Sequence, residues 1–590
     1  MFHRYITART QVSLQQMERW RHMPWILWVG LLAMVVANQA TSLLAHVQRS
    51  TSPSNINDDV RQQIFPFFRQ AGEVLFRDDY IAQYYLANFP LGYRATYTLA
   101  SWSDSAELLS KLLPYLLLAA ICVGVGVAAH RLSGPVAALT STAIILGCSI
   151  YLERLGGGLP RAFGFPLVSL AIAALAIGNA YLIAAAICIA AGFYPVVGVV
   201  GGLTLSLWLF CLPARARGQA QDWSWRRRLA LLAATFGICV VVLLPTALGS
   251  AKYGPIITPD QVEEFPEIGP GGRYISADRA PFPAPSRALR LALDRSLFGA
   301  GTPWSSAARG LMARLSSDPK SICEDAVTES IALVALVTWV LVARRRFELM
   351  RLLLLPLAAV VGYLLSSHVA PYLYLPQRYV SYTIPPFVAL LVSTAPGLGL
   401  SLVTRLRRSE RQLLAGVVSV MVLLIIGGRG SRSAGLESHV DMSDPILRAV
   451  AQLPAQSIVA AWPKGLADVI PYAAKRRVLV SSETHQAFHA GYTLEMRKRV
   501  SALVAAFAAD SLDPIIILHR DFGVTHMVVR REFADANIPR YFHPFDKSIR
   551  DAAARLGNRT PELQKHLVTA AVFRGADATV LSLEKIVHER

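Results

Sequence analysis

The chain has 590 residues, of which 53% are hydrophobic and only 16% are charged. This balance excludes an ordinary soluble globular protein of this length and is typical of a polytopic membrane protein. Lysine and arginine total 58 against 39 aspartates and glutamates, which gives a formal net charge of +19.

Apolar segments that could cross a bilayer fill most of the first 428 residues, since a crossing helix needs about 20 apolar residues. The first segment is predicted to be an anchor rather than a signal peptide, because it has no small-residue cleavage site. The block from Phe165 to Leu212 is continuous, and the short piece at its start could instead be re-entrant. The eleven predicted spans are Trp25–His46, Leu112–Ala129, Pro135–Leu152, Phe165–Ile177, Ala180–Tyr194, Pro195–Leu212, Leu229–Leu248, Val327–Ala343, Leu352–Ser367, Pro385–Val403 and Gln412–Gly427.

The positions of the basic residues predict the orientation of the chain. With a cytoplasmic amino terminus, the inner segments contain 18 arginines and 4 acidic residues, so 14 of the formal +19 lies on the cytoplasmic face. The basic balance therefore indicates topology in the inner (plasma) membrane, and it gives no support to nucleic-acid binding.

This topology predicts a polytopic α-helical membrane protein with two parts. Residues 1–428 form a transmembrane module whose outer loops cover 47–111, 153–164, 249–326 and 368–383. Residues 429–590 alternate strand-like and helical segments, which predicts an extracytoplasmic α/β domain.

The first outer loop contains the sharpest acidic pair. Apolar residues recur at helical spacing from Val60 to Leu75, which predicts an amphipathic helix lying on the membrane surface. Asp78 and Asp79 follow it, and a carboxylate in a partly apolar pocket can act as a general base. The alternative is that they cap the helix beginning at Tyr80. Asp79 is the favoured base.

Aromatic residues surround a basic residue just after this pair, in the stretch "YIAQYYLANFPLGYRATY". Tyr84, Tyr93 and Arg94 are candidates for substrate binding, because aromatic rings with polar tips suit the faces of sugars. An ordinary interfacial belt of tyrosines is the alternative.

Two later outer loops supply arginines close to the membrane boundary. Arg161 follows the glycines of "ERLGGGLPRAF", and Arg378 lies in "PYLYLPQRYVSY". A guanidinium group offers a forked set of donors that matches phosphate oxygens, whereas the alternative is a snorkelling interfacial side chain. The neighbours of Arg378 that are candidates for substrate binding are His368, Gln377 and Tyr379.

The acidic first loop, the short middle spans, the arginines of later outer loops and the carboxy-terminal domain together resemble the GT-C superfamily of integral membrane glycosyltransferases. The resemblance implies transfer of a sugar from a polyprenyl-phosphate-linked donor to an envelope glycan, lipid or protein acceptor on the outer face. It also implies that Asp78 or Asp79 is the base, that Arg161 and Arg378 hold the donor phosphate, and that membrane lipids surround the enzyme.

The carboxy-terminal domain is similar in one place to the oligosaccharyltransferase catalytic subunit, whose "WWDYG" motif binds the acceptor peptide. Here the sequence reads "SIVAAWPKGLADVI", in which Trp462 and Gly465 fit but Pro463 and Lys464 replace the aspartate and tyrosine. Trp462 is kept as a candidate for substrate binding, and the departure argues against peptide N-glycosylation.

No cofactor is expected. Five of the six cysteines fall in predicted spans, where a thiol behaves as a small hydrophobe, so neither a disulfide framework nor a metal cluster is predicted. Some members of the superfamily bind a divalent cation through acidic residues of two outer loops. The second loop here offers only Glu153, so metal independence is predicted, and a divalent cation stays open as the alternative.

Three other functions compete with a glycosyltransferase. A polymerase or ligase of the O-antigen type would use the same donor class, and the long loop Gly249–Ala326 could belong to it. A transporter or flippase for lipid-linked sugars would place ionisable residues near the midplane, where the predicted spans have almost none. A scaffold for envelope assembly would have no transfer activity.

Overall fold

The computed structural model describes residues 29–588 apart from 38, 41–42, 45, 71, 274–321, 370–374, 404–405, 427–434, 437, 532–538 and 558. Three helices follow the first apolar segment, namely α1 (Val60–Gln63), α2 (Tyr80–Asn88) and α3 (Leu91–Ser101). The other helices before residue 427 are α4 (Ala106–Ser133), α5 (Pro135–Gly147), α6 (Ser149–Leu155), α7 (Gly164–Ile177), α8 (Ala180–Phe193), α9 (Pro195–Cys211), α10 (Trp225–Ala251), α11 (Ile322–Ala343), α12 (Phe347–Val369), α13 (Gln377–Ser381), α14 (Ile384–Ser401) and α15 (Arg408–Ile426).

Several of these helices have the length and apolar character of membrane spans. Among the described residues, five segments are long and apolar enough to cross a bilayer, namely Ala106–Ser133, Pro160–Ile177, Trp225–Ala251, Phe347–Val369 and Gln377–Ser401. Pro135–Gly147 and Ile150–Gly158 are bent by 67° and give a sixth if they form one span. The chain is therefore an integral membrane protein.

Helices are present at all the predicted spans after the first, which lies partly outside the described residues. Some are short, such as α8 with 14 residues, so the number of eleven crossings stays a prediction. Helix α4 packs against α5 and α7, and α9 packs against α8 and α12. Helix α7 also packs against α8 and α12, and most of its residues are buried.

The first loop does not form the predicted amphipathic helix between Val60 and Leu75. Helix α1 ends at Gln63, a 3-10 turn covers Phe65–Phe67, and a hairpin of β1 (Arg69–Gln70) and β2 (Glu73–Val74) follows. Pro66 has no backbone N–H with which to continue the hydrogen bonds of α1, and Gly72 turns the hairpin with a φ of 84°. Most of the apolar residues of this segment are buried inside the protein, although Val74 is exposed, so the segment does not present an apolar face to a membrane.

The part after residue 437 contains a mixed sheet between helices. Its strands are β3 (Ile458–Ala460), β4 (Arg477–Val478), β5 (His526–Arg530), β6 (Ala571–Arg574) and β7 (Ala578–Ser582), and their spatial order is β4-β3-β5-β7-β6. Strands β4, β3 and β5 are parallel to one another. Strand β7 pairs antiparallel with both β5 and β6. The helices of this part are α16 (Pro445–Ala451), α17 (Leu466–Ala473), α18 (Ala490–Phe507), α19 (Asp513–Phe522), α20 (Phe545–Leu556), α21 (Glu562–Lys565) and α22 (Leu583–His588).

The first loop and the carboxy-terminal part are packed against each other. Residues Asn55–Ile56 pair antiparallel with Ser438–His439, and α1 packs on α17. Deeper in the interface, the ring of Tyr84 stacks on that of Tyr492 with 3.6 Å between centroids. The carboxy-terminal part therefore helps to shape the surface around α1.

Candidate functional site

The centre of the candidate site is a carboxylate of the first loop, Asp59. It comes directly before α1, and its Oδ2 forms an ion pair with Arg161 Nη1. The side chains of Asp59 and Arg161 are 27% and 26% exposed, so a ligand can reach both. Asn57 orients the pair, because its Oδ1 accepts from the Asp59 backbone N–H and from Arg161 Nη2, each at 3.2 Å.

The triple glycine before Arg161 is what allows this approach. Gly157 and Gly158 have φ angles of 78° and 59°, a region that residues with a Cβ rarely adopt. A Cβ at Gly157 would lie 2.5 Å from Val60 Cγ2, and one at Gly158 would lie 2.8 Å from the Tyr97 hydroxyl. The glycines therefore let the second outer loop lie directly against the first.

Two further arginines, Arg154 and Arg378, lie around the ring of the buried Tyr382. Arg378 Nη1 donates to the Tyr382 hydroxyl at 2.8 Å, and Arg154 and Arg378 lie 5.9 and 5.5 Å from the centroid of its ring. Arg161 also acts electrostatically on the Tyr382 hydroxyl. The structure thus brings Arg161 and Arg378, which are 217 positions apart in the sequence, to one cationic cluster next to Asp59.

Two further carboxyl groups, those of Asp58 and Glu483, lie on the side of the cluster that faces the carboxy-terminal part. Arg61 contacts the carboxyl groups of both Asp58 and Glu483, and Ser438 Oγ donates to Asp58 Oδ1 at 2.8 Å. Burial, reinforced by the nearby Asp468, raises the pKa of Glu483 to about 9, although Arg61 opposes this shift. Glu483 therefore favours the protonated form.

Asp79 lies in a different environment from Asp59. It is the N-cap of α2, where its Oδ1 accepts from the Ala82 backbone N–H at 2.7 Å. Its side chain is buried, and burial raises its pKa, whereas Arg499 and Arg477 act in the opposite direction. Asp78 is exposed. Of the two, Asp79 is thus the capping residue, and its charged neighbours are those of the carboxy-terminal part.

The aromatic residues predicted to bind substrate lie in packed regions. Tyr84 is buried and its hydroxyl is 3.0 Å from His489 Nδ1, and Tyr93 is fully buried next to Phe89. Arg94 donates to the Leu86 carbonyl, in the last turn of α2, at 3.4 Å. In this arrangement the three side chains support the loop rather than line the cationic cluster.

The remaining predicted site residues are scattered. His368 is exposed and its Nδ1 contacts the Leu364 carbonyl at 2.8 Å, and Tyr379 is buried against Gly362. Gln377 Oε1 is buried without a hydrogen-bond partner among the described residues. Trp462 is buried beside Phe507, with 5.6 Å between ring centroids, so its indole belongs to the core of the carboxy-terminal part.

Seven residues of the site were not predicted from the sequence as site residues, namely Asn57, Asp58, Asp59, Arg61, Arg154, Tyr382 and Glu483. The stretch "NINDDVRQQ" gives a usable signal, because an acidic pair follows the first apolar segment and directly precedes a helical pattern. Glu483 offers no such signal, since its contact with Arg61 joins residues 422 positions apart.

The carboxylates of the site are committed to arginines. Asp59 pairs with Arg161, and Asp58 and Glu483 share Arg61. Within the described ranges, no group of three or more His, Cys, Asp or Glu side chains is placed so that it could hold a metal ion. The donor set around Asp59 therefore does not fit a divalent cation, and metal independence stays a prediction.

Comparisons with known proteins give similarity in fold only. No protein-family model matches the chain, and no curated protein matches its sequence. The apo oligosaccharyltransferase of Archaeoglobus fulgidus is 13% identical with a TM-score of 0.48, over 92% of this chain and 72% of that one. The same enzyme, AglB, with an inhibitory peptide and a dolichol-phosphate is 12% identical with a TM-score of 0.44, over 84% and 69%.

A third solved structure is ArnT from Cupriavidus metallidurans bound to undecaprenyl phosphate. It is 16% identical with a TM-score of 0.38, over 94% of this chain and 98% of that one.

Proposed function

We propose that the chain is a membrane glycosyltransferase that moves a sugar from a polyprenyl-phosphate-linked donor to an envelope glycan, lipid or protein acceptor. One observation carries the proposal, namely that Asp59 forms an ion pair with Arg161, which lies with Arg154 and Arg378 around Tyr382. A carboxylate next to several forked cations suits a reaction that removes a proton and releases a phosphate.

The general base in this proposal is Asp59 rather than Asp79. Its carboxylate takes the proton of an acceptor hydroxyl, whose oxygen attacks the anomeric carbon of the donor. The bond between that carbon and the phosphate oxygen breaks, and the polyprenyl phosphate leaves with the bonding electrons. Arg161 and Arg378 hold this leaving phosphate, and Arg161 exchanges its ion pair with Asp59 for one with the phosphate as the donor binds.

Asp79 is less suited to this step because its carboxylate already accepts the hydrogen bond that caps α2. Its charged neighbours, Arg477 and Arg499, belong to the carboxy-terminal part. We assign Asp79 to the support of α2 and of the tyrosines that follow it.

We also propose the side of the membrane on which the site lies. Eleven spans with an inner amino terminus would put Asp59, Arg161 and Arg378 on the outer face of the inner membrane, where a lipid-borne donor meets its acceptor. Residues 429–590 would then be an extracytoplasmic α/β domain that supplies Glu483 to the edge of the site. The sugar would be a hexose or a pentose, and membrane lipids would surround the helices.

A transfer assay tests the proposal. Detergent-purified full-length protein is incubated with radiolabelled polyprenyl-phosphate sugars and a membrane-envelope extract as acceptor, and labelled product and released polyprenyl phosphate are counted. We expect labelled product and released polyprenyl phosphate in equal amounts. Polymerised lipid-linked product would indicate the polymerase or ligase alternative. Movement of unreacted donor across a liposome bilayer without transfer would indicate a flippase, and no change at all would indicate a scaffold.

A further inference from the structure

A buried arginine, Arg351, lies at the carboxy-terminal end of α7, whereas Arg161 precedes the helix. Arg351 has no part in the proposed reaction. Arg351 lies in the second turn of α12 and is 7% exposed. Its Nε is buried without a hydrogen-bond partner among the described residues. Burying a guanidinium group is costly unless an anion or several acceptors compensate its charge.

The guanidinium group of Arg351 lies in a recess between two glycine turns and a tryptophan ring. Its guanidinium group lies against Gly178 and Gly218, which have φ angles of 80° and 59°, and a Cβ at either position would overlap Nη1. The two glycine turns are joined by a hydrogen bond from the Gln219 N–H to the Gly178 carbonyl at 3.3 Å. The ring of Trp208 lies 5.9 Å from the guanidinium carbon and closes one side.

The charges around the recess leave it positive. Arg131 acts on Arg351 as a like charge, and its Nε donates to the Ala176 carbonyl at 3.0 Å. Glu348 is the acidic residue that acts on Arg351, but it forms an ion pair with Arg346 at 2.7 Å. An incoming anion would therefore meet two arginines and one carboxylate that already has a partner.

This recess is separate from the site around Asp59. Arg161 precedes α7, whereas Gly178 follows its last residue. The helix has 14 residues, so its ends are about 21 Å apart at roughly 1.5 Å per residue. Under the predicted orientation, this end of α7 lies on the cytoplasmic side.

We propose that the recess formed by Arg351, Gly178, Gly218 and Trp208, with Arg131 at its edge, binds a phosphate group. A planar guanidinium group matches the oxygens of a phosphate, and Arg351 Nε has no hydrogen-bond partner among the described residues. The phosphate belongs either to an anionic lipid of the adjacent leaflet or to a soluble phosphate compound. The simpler alternative is that the arginine only complements the negative end of the α7 dipole.

Binding to purified full-length protein in a neutral detergent tests the inference. Native mass spectrometry with short-chain phosphatidylglycerol and short-chain phosphatidylcholine measures lipid binding, and a thermal shift with inorganic phosphate against an equal concentration of chloride measures the soluble source. The variants are Arg351→Gln and Arg351→Lys, and the control is Arg345→Gln, which removes an exposed charge six positions before Arg351.

The inference expects Arg351→Gln to bind the preferred probe roughly tenfold more weakly, and Arg351→Lys, which keeps the charge but loses the fork, to bind at least about threefold more weakly. Arg345→Gln should stay within about twofold of the parent, since it keeps the recess. Preference for phosphatidylglycerol assigns a lipid, and a response to phosphate alone assigns a soluble compound. If the parent and Arg351→Lys proteins bind every probe equally, the inference is wrong and the arginine serves the helix dipole only.

Discussion

Two aspartates of the first loop differ in what surrounds their carboxylates. Asp79 accepts a hydrogen bond from the Ala82 backbone, which is the ordinary task of an N-cap. Asp59 forms an ion pair with Arg161 across 102 positions of sequence and keeps partial exposure. Residue type and proximity to a helix start are the same in both cases, so only the long-range partner separates a supporting role from a chemical one.

At the residue scale, Arg378→Lys tests whether a forked cation holds the donor phosphate. Lysine keeps the charge but cannot donate two parallel hydrogen bonds, so we expect the KM for the lipid-linked donor to rise about tenfold with a smaller change in kcat. Initial rates at varied donor concentration measure this. Arg94→Lys is the control, since Arg94 lies in α3 and donates to the end of α2, outside the cluster. Equal KM values for the two variants would contradict a phosphate contact by Arg378.

The protonation of Glu483 gives a pH prediction. Its pKa is raised to about 9 in the folded protein from 4.5, so the stability it contributes is fully present below pH 4.5 and is lost as the pH rises through about 9. We expect the thermal midpoint of the parent protein to fall between pH 7 and pH 10 more steeply than that of Glu483→Gln, which stays neutral. Melting curves in detergent measure both.

The control for this experiment is Glu584→Gln, which alters an exposed glutamate. It should show the same pH dependence as the parent protein. A parallel fall in Glu483→Gln and the parent would mean that Glu483 is ionised at neutral pH and simply paired with Arg61.

At the scale of elements, the triple-glycine turn decides how close the two outer loops come. Gly157→Ala places a methyl group in contact with Val60 and forces a left-handed backbone on alanine. We expect a loss of about 1–2 kcal/mol in stability from the backbone alone, together with reduced transfer because Arg161 shifts from Asp59. Thermal melting and the transfer assay measure the two effects.

Gly202→Ala is the matched control, because this glycine lies within α9 and a Cβ there meets nothing within 4 Å. Alanine is the better helix former, so the control should leave stability unchanged or raise it by up to about 1 kcal/mol. Equal behaviour of the two variants would show that the close packing of the loops is unimportant.

The positions of some helices can be predicted from the sequence, whereas those of others cannot. Apolar runs locate α4 and α10 because a bilayer requires long apolar helices whatever their partners. The same reasoning fails between Val60 and Leu75, where apolar spacing predicts one helix. Pro66 and Gly72 divide this segment into a turn and a hairpin. Phe68 packs on the carboxy-terminal part, whereas Phe67 packs on Phe89 of the first loop.

At the scale of the whole molecule, the site is assembled from pieces that are distant in sequence. Asp59, Arg161, Arg378 and Glu483 come from three loops and from the carboxy-terminal part. The sequence indicates that outer arginines are available, since their type and position suit phosphate. It does not indicate that Arg161 meets Asp59, because this contact depends on Asn57 and on glycines whose role appears only when the loops are packed.

The most direct test of the account compares Asp59→Asn with Asp79→Asn in the transfer assay with radiolabelled polyprenyl-phosphate sugar. Asparagine removes a base at either position, but it remains a good N-cap at position 79. We expect Asp59→Asn to lose about 10²–10⁴-fold in transfer rate and Asp79→Asn to stay within about threefold of the parent protein. The opposite pattern, with transfer lost in Asp79→Asn and kept in Asp59→Asn, would contradict the assignment of the base and of the site around it.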